Sequence, residues 1–361
     1  MLSKQFEHVT LGQRVLFGAG RSADALAAEV DRLGAERVMV VASKRDASVA
    51  AAITKRIDVS VHHHDVAPHV PAALAERTTA IASKHRVDLM VSVGGGSTTG
   101  LAKAVARSTG LPIIAIPTTY SGSEATNVWG ITESARKITG VDDAVLPISV
   151  IYDADLTVAL PVDLSIASGL NAVAHCIDSM WAPNTDPINQ TLAAEGIRVL
   201  AAGLPAIRRQ PQNLTAREQA LYGAYLSAVA FASAGSGLHH KICHTLGGSY
   251  DLPHAQTHAI VLPHVLAFNA AAAPDAEARI AAAFGAATAT AGLRLLQTRL
   301  DGPRALRHYG FVADMIPEAA QLILPAVPAS NPRPVELADL ERLLHAALVG
   351  AAPTPRQEHQ P

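Results

Sequence analysis

Six of the chain's sixteen histidines fall at positions 239, 240, 244, 254, 258 and 264. His240 and His244 are four residues apart, a spacing that puts both side chains on one face of a helix. Asn171 and His175 repeat that spacing upstream, just after Ser168-Gly169. Imidazole pairs at this separation suit metal ligation or proton transfer. Four polar residues so matched in Ala- and Leu-rich surroundings point to function. His258 and His264, taken singly, read as core histidines, and His239 stays open. The run His62-His63-His64 reads as a solvated stretch on an edge strand.

A second pattern concerns phosphate. Val91-Ser92-Val93 runs into Gly94-Gly95-Gly96-Ser97 and then a helix carrying Ala102 and Lys103. A strand that opens through glycines into a helix N-terminus offers bare N–H groups and the positive end of the helix dipole to an anion. Thr99 stands where the common dinucleotide fingerprint has its third glycine, so the loop is unorthodox. The next strand ends in Thr118-Thr119-Tyr120-Ser121-Gly122, which adds hydroxyls on the same rim. Two such loops at successive strand ends favour a dinucleotide. The strand Val38–Val41 ends in Ala42-Ser43-Lys44-Arg45, with no carboxylate at the place where a ribose-binding Asp or Glu is expected. Both NADH and NADPH are therefore expected to be accepted. Ser43 and Lys137 complete the candidate coenzyme contacts, and Tyr120, on the same coenzyme-side rim and within reach of either ligand, is assigned to the substrate.

The elements that must hold these groups follow from two different periodicities. Up to about residue 155, short Val- and Ile-rich runs (37–42, 59–61, 89–93, 113–116) alternate with helical stretches at 22–33, 71–85 and 99–108. Near-continuous apolar strands alternating with helices predict a parallel sheet covered on both faces. From Pro161 onward, Ala and Leu recur at helical spacing over 164–180, 188–207, 216–232 and 276–295. The expected organisation is a dinucleotide-binding α/β domain over 1–157, an all-helical catalytic domain over 158–350 and a loose tail over 351–361.

Composition narrows the partners. Lys and Arg number 29 against 31 Asp and Glu, a net charge of −2, with 17% charged and 4% aromatic residues. That balance carries no basic footprint for nucleic acid. No run approaches the ~18 uninterrupted apolar residues of a membrane-spanning helix. The start lacks an apolar signal core, and the only cysteines are Cys176 and Cys243. A cytoplasmic protein is expected.

The longest motifs are Ser168-Gly169-Leu170-Asn171-Ala172-Val173-Ala174-His175-Cys176, His239-His240-Lys241-Ile242-Cys243-His244 and Leu252-Pro253-His254-Ala255. With Phe17-Gly18-Ala19-Gly20, the Gly94–Ser97 loop and Asn331-Pro332-Arg333-Pro334, the chain resembles the iron-containing (group III) alcohol dehydrogenase superfamily over essentially its whole length. Within that superfamily it is similar to the maleylacetate reductases. The resemblance implies a dehydroquinate synthase-like fold, with the active site in the cleft between the two domains. It also implies NADH- or NADPH-dependent reduction of a dicarboxylate, maleylacetate, to 3-oxoadipate in bacterial aromatic breakdown, by a homodimer. The superfamily pattern places one Asp and three His on a metal ion. His175, His240 and His254 occupy the histidine positions, but Asn171 replaces the Asp, and Gly100 stands where a further Asp is usual. Losing the one anionic ligand weakens a divalent-ion site, so no metal is expected to be required. The alternative is a metal-dependent alcohol dehydrogenase in which the three histidines still hold Fe²⁺ or Zn²⁺. In the metal-free reading His244 donates the proton, and His175, His240 and His254, as positive imidazoles, polarise the carbonyl and attract carboxylates. Asn171 and Lys241 join them around the substrate, although Lys241 could equally face solvent.

Overall fold

The computed structural model describes residues 5–133 and 136–352, with the backbone alone at 136 and 137. The tail from 353 onward and the side chain of Lys137 lie outside the described residues. The chain forms two compact units, one of Leu11–Pro161 with Gln210–Leu221. The other takes Val162–Arg209, the chain from Tyr222 onward and the segment up to Thr10. The division thus falls at Pro161 rather than 157, and Gln210–Leu221 joins the first unit through a buried cation. Arg217 is fully buried there, donating to the Tyr120 hydroxyl at 3.1 Å and to the Leu160 carbonyl at 3.2 Å.

The first unit contains β1 (Arg14–Phe17), α1 (Ser22–Leu33), β2 (Val38–Ala42), α2 (Ala47–Ile53), β3 (Val59–His63), α3 (Ala72–Lys84), β4 (Leu89–Gly94), α4 (Gly96–Thr109) and β5 (Ile113–Pro117). It continues with β6 (Val128–Glu133), β7 (Arg136–Val141) and β8 (Ser149–Tyr152). Six strands make one parallel sheet in the order β1-β8-β5-β4-β2-β3, and β6 and β7 pair as a separate antiparallel hairpin that periodicity did not announce. Alternate β2 residues feed two cores: Val38, Val40 and Ala42 pack with Leu26 and Val91, whereas Met39 and Val41 pack with Leu74 and Leu101. Burial on both faces is why these strands read as unbroken apolar runs. The edge strand β3 carries His62 and His63. His62 is exposed, but His63 is buried against Asp65 O (2.9 Å) and Thr78 Oγ1 (3.2 Å), so the histidine run is not uniformly solvated.

The second unit is helical: α5 (Val162–Ser179), α6 (Pro187–Arg209), α8 (Leu238–Tyr250), α9 (His254–Ala270), α10 (Pro274–Phe284), α11 (Ala289–Leu300), α12 (Ile316–Ile323) and α13 (Leu337–Val349), together with most of α7 (Leu214–Ala234). The stretch 276–295, expected as one helix, is two. Gly285 in the left-handed region (φ 64°) ends α10, and the Thr288 side chain caps α11 by accepting from the Ala291 N–H. No described helix is long and apolar enough to cross a membrane.

Lys103 on α4 fastens the second rim loop. Its buried Nζ donates to the carbonyls of Ser123 (2.6 Å), Thr126 (2.7 Å) and Val128 (2.8 Å). Burial pushes its pKa down to about 7, opposed by the nearby buried Glu124 carboxylate, which favours the ammonium form. Lys103→Met would leave these carbonyls without a donor. It is expected to lower unfolding stability by about 2–4 kcal/mol, measured by urea denaturation against wild type.

Candidate active site

Strand register builds the coenzyme edge. Ala42 pairs with Val93 and Gly94 with Pro117, so the carboxyl ends of β2, β4 and β5 lie side by side. The glycine loop packs directly on the second loop. A Cβ on Gly95 would lie 2.9 Å from Thr119 Cγ2, and one on Gly94 (φ 153°) would lie 2.4 Å from Thr98 Oγ1. Only glycine permits these approaches. The buried Thr119 Oγ1 and Ser121 Oγ have no hydrogen-bond partner, Thr118 is buried, and Ser97 is half-buried in the first turn of α4. A cradle shaped by glycine, with unpaired hydroxyls and a helix N-terminus, fits a pyrophosphate. Ser43 lies on the same edge, just beyond β2, as expected. Tyr120 does not line the rim. It is fully buried, with its hydroxyl donating to Thr157 Oγ1 at 3.4 Å and accepting from Arg217, and burial pushes its pKa up. The edge also holds a carboxylate that the sequence reading placed nowhere. Asp46, three residues past Ser43, is bonded to the Ser43 hydroxyl.

The histidines converge within the helical unit. On α5, Asn171, His175 and Asp178 stand at i, i+4 and i+7 on one face. From α8 come His239, His240 and His244, and from α9 His254 and His258. His175 stacks on His240 with centroids 4.9 Å apart, and Phe231 of α7 lies 4.9 and 4.3 Å from those two rings. His258 is the hub rather than an isolated core residue. Its ring is 4.3 Å from His254, 4.9 Å from both His239 and His240, and 6.4 Å from both His175 and His244. His244 lies 5.8 Å from His240 and 6.4 Å from His254. His175, His239, His240 and His258 are buried, whereas His244 and His254 are half-buried and form the accessible side. His264 is a buried residue lining a separate cavity of about 750 Å³ among α5, α9 and α11. Lys241 is half-buried on α8, about 100° further round the helix from His240.

Sequence reasoning missed Asp178. Its Oδ2 pairs with His240 Nδ1 at 2.7 Å and accepts from the Gly237 N–H at 2.8 Å. The approach is so close that a Cβ on Gly237 would lie 2.4 Å from Oδ1. The clue was present as the next polar residue along the Asn171–His175 face. A donor at Nδ1 fixes the His240 ring and leaves Nε2, which has no partner, turned away from the carboxylate. Burial raises Asp178 to about 6, opposed by the N–H donors of Gly237 and His240.

Burial also decides the charge of the rings. It pushes His175 down to about 4, His239 to about 3, and His240 and His258 well below the ordinary imidazole value. The expected positive charge on His175 and His240 at neutral pH is therefore corrected: these rings are neutral. Asn171, His175, His240 and His254 offer three imidazoles and an amide with no anionic ligand, a weaker match for a divalent ion than a set that includes a carboxylate. His239 Nε2, Cys243 Sγ and a His258 nitrogen gather within 4.8 Å of one another. His239 Nε2 and His258 Nδ1 are 2.9 Å apart, a hydrogen bond and closer than the about 3.3 Å between two nitrogens on one tetrahedral zinc.

The chain matches the iron-containing alcohol dehydrogenase model over residues 12–154 and the model of the C-terminal part of the Fe-containing alcohol dehydrogenase family over 165–348. The chain belongs to the iron-containing alcohol dehydrogenase family. It is 42% identical to maleylacetate reductase of Pseudomonas sp. (strain P51), over 97% of this chain and 99% of that protein. The solved maleylacetate reductase from Agrobacterium tumefaciens superposes with a TM-score of 0.91 at 42% identity, covering 97% of this chain and 100% of the other. An iron-containing alcohol dehydrogenase from Corynebacterium glutamicum superposes with a TM-score of 0.95 at 59% identity, covering 98% and 99%. The parallel sheet unit and the helical unit match the fold of this family of oxidoreductases.

The buried neutral rings have a consequence for stability. In the unfolded chain, histidines protonate near pH 6.5, but His175, His239, His240, His258 and His264 resist protonation when folded. Between their folded values and 6.5 the unfolded state binds more protons, so stability falls on acidification, by about 1.4 kcal/mol per pH unit for each such proton. Asp178 works in the opposite sense below pH 6, but as a single group. Denaturant unfolding is expected to show a marked loss from pH 7 to pH 5, and His264→Asn should make that loss shallower.

Proposed function

We propose that this oxidoreductase is a maleylacetate reductase that transfers hydride from NADH or NADPH to maleylacetate and yields 3-oxoadipate. The observation that carries the reading is the Asp178–His240 pair within a neutral, imidazole-lined pocket, in a chain 42% identical to enzymes of that name along nearly its whole length. Hydride adds to the alkene carbon β to the ketone, and the electron pair moves to the carbonyl oxygen to form an enolate. A proton then goes to the adjacent carbon. Donors held in a buried site favour the developing oxyanion, and the site supplies them from imidazole nitrogens on three helices.

The Asp178–His240 pair takes up one proton as a unit. With Nδ1 held by the carboxylate, that proton is available at His240 Nε2. His244, half-buried beside His240, passes that proton on to substrate, and the pair is refilled from solvent through it. His175 and Asn171 place the substrate carbonyl, while His254 and Lys241 receive a carboxylate. Asn171 in place of the family's anionic ligand supports a reaction without a resident metal ion. On this reading the enzyme works in the cytoplasm as a homodimer on a small dicarboxylate, and the family resemblance supports both.

Two measurements test this. Asp178→Asn is expected to lower kcat about 10–100-fold with a smaller effect on KM, by NADH oxidation with maleylacetate. In wild type kcat should fall as pH rises, because the donor must carry its proton, and Asp178→Asn should abolish that limb. Prolonged chelation should leave turnover intact. Loss of activity restored by Fe²⁺ or Zn²⁺ would replace this reading with that of a metal-dependent alcohol dehydrogenase.

A further inference from the structure

The β2 end of the sheet unit is not free of carboxylates once folded. Asp46 begins the turn into α2, and the chain reversal brings its side chain back over the strand ends. Ser43 Oγ donates to Oδ2 at 2.6 Å, and Thr118 Oγ1 donates to Oδ1 at 3.4 Å. A Cβ on Gly94 would lie 3.3 Å from Oδ2. The carboxylate therefore bonds residues just beyond β2 and β5 and lies close over Gly94 at the end of β4, beside the glycine cradle. It is half-buried and held in place, whereas Lys44 and Arg45 are exposed.

We infer that Asp46 selects NADH over NADPH. The inference rests on the reading of this edge as a nicotinamide-dinucleotide site. In parallel-sheet dinucleotide sites the pyrophosphate lies on the glycine loop. A carboxylate near the neighbouring strand end accepts from the ribose 2′-hydroxyl of the adenosine half. Asp46 offers that acceptor. Its two oxygens are each used once, and a carboxylate has lone pairs to spare. The Ser43 bond restrains it at low entropy cost. In NADPH the same position carries a phosphate of nearly two negative charges, and like charges set side by side reject a ligand strongly. Lys44 and Arg45 project into water, where their attraction for a phosphate is screened. Ser43 thus becomes a positioning residue acting through Asp46.

The test is coenzyme binding without a second substrate, followed by nicotinamide fluorescence, for wild type, Asp46→Asn and Ser43→Ala. Wild type should bind NADH about tenfold or more tightly than NADPH. Asp46→Asn should bring the two within about threefold, mostly by tightening NADPH. Ser43→Ala should narrow the ratio by a smaller amount. Because both coenzymes are titrated on one preparation, a misfolded fraction cancels in the ratio. Equal wild-type affinities, or a ratio unchanged in Asp46→Asn, overturn the inference. Binding of neither coenzyme overturns both it and the coenzyme reading. Selective NADH binding without turnover of maleylacetate supports the inference and sinks only the proposed substrate.

Discussion

A carboxylate buried away from water must be met by donors, and Asp178 is met by α8. The Gly237 N–H and His240 Nδ1 both reach its Oδ2. That requirement explains why α8 begins at a glycine, since no Cβ fits between Gly237 and the carboxylate. It explains the ring orientation of His240, and through stacking that of His175. Phe231 closes the far side of the two rings, so the pocket is dry where the pair lies and more open at His244 and His254. One buried charge thus orders elements from three helices.

Low polarity around the rings has a second effect. Burial alone accounts for the depressed His175 value, whereas neighbouring imidazoles add to burial at His239, His240 and His258. A cluster of imidazoles this dense cannot be a cluster of cations, because each added charge would face both desolvation and its neighbours. The proton available for chemistry is accordingly the one shared with Asp178. The sheet unit solves a different problem by different means. There, parallel register brings three strand ends together, and Lys103 and Arg217 tie down the loops and the returning segment from within.

Much of this was legible. Unbroken Val and Ile runs announced a sheet buried on both faces, because strands with no wet side have no reason to alternate. The i, i+4 spacing of Asn171–His175 and His240–His244 announced two helix faces carrying chemistry. Other features were hidden for physical reasons. The β6–β7 hairpin has little apolar periodicity to betray it. Tyr120 reads as a rim residue from its place in the loop, but its hydroxyl is bonded to Arg217, nearly a hundred positions away in sequence. His258 looked like packing because its importance lies in which rings surround it, and Asp46 was overlooked because a turn carries it back to a strand end it does not immediately follow.

The sequence by itself determined the two textures of the chain, the glycine loop, the replacement of an expected metal-binding carboxylate by Asn171, and the spacing that aligns each pair of polar residues. These are local properties, set by the 3.6-residue turn, the two-residue pleat and side-chain chemistry. Only the tertiary structure decided that the buried imidazoles are neutral, that Asp178 anchors His240, that His258 joins the cluster and that Asp46 reaches the coenzyme edge. Charge state and pairing depend on burial and on contacts between residues far apart in sequence, and spacing along a chain does not encode either directly.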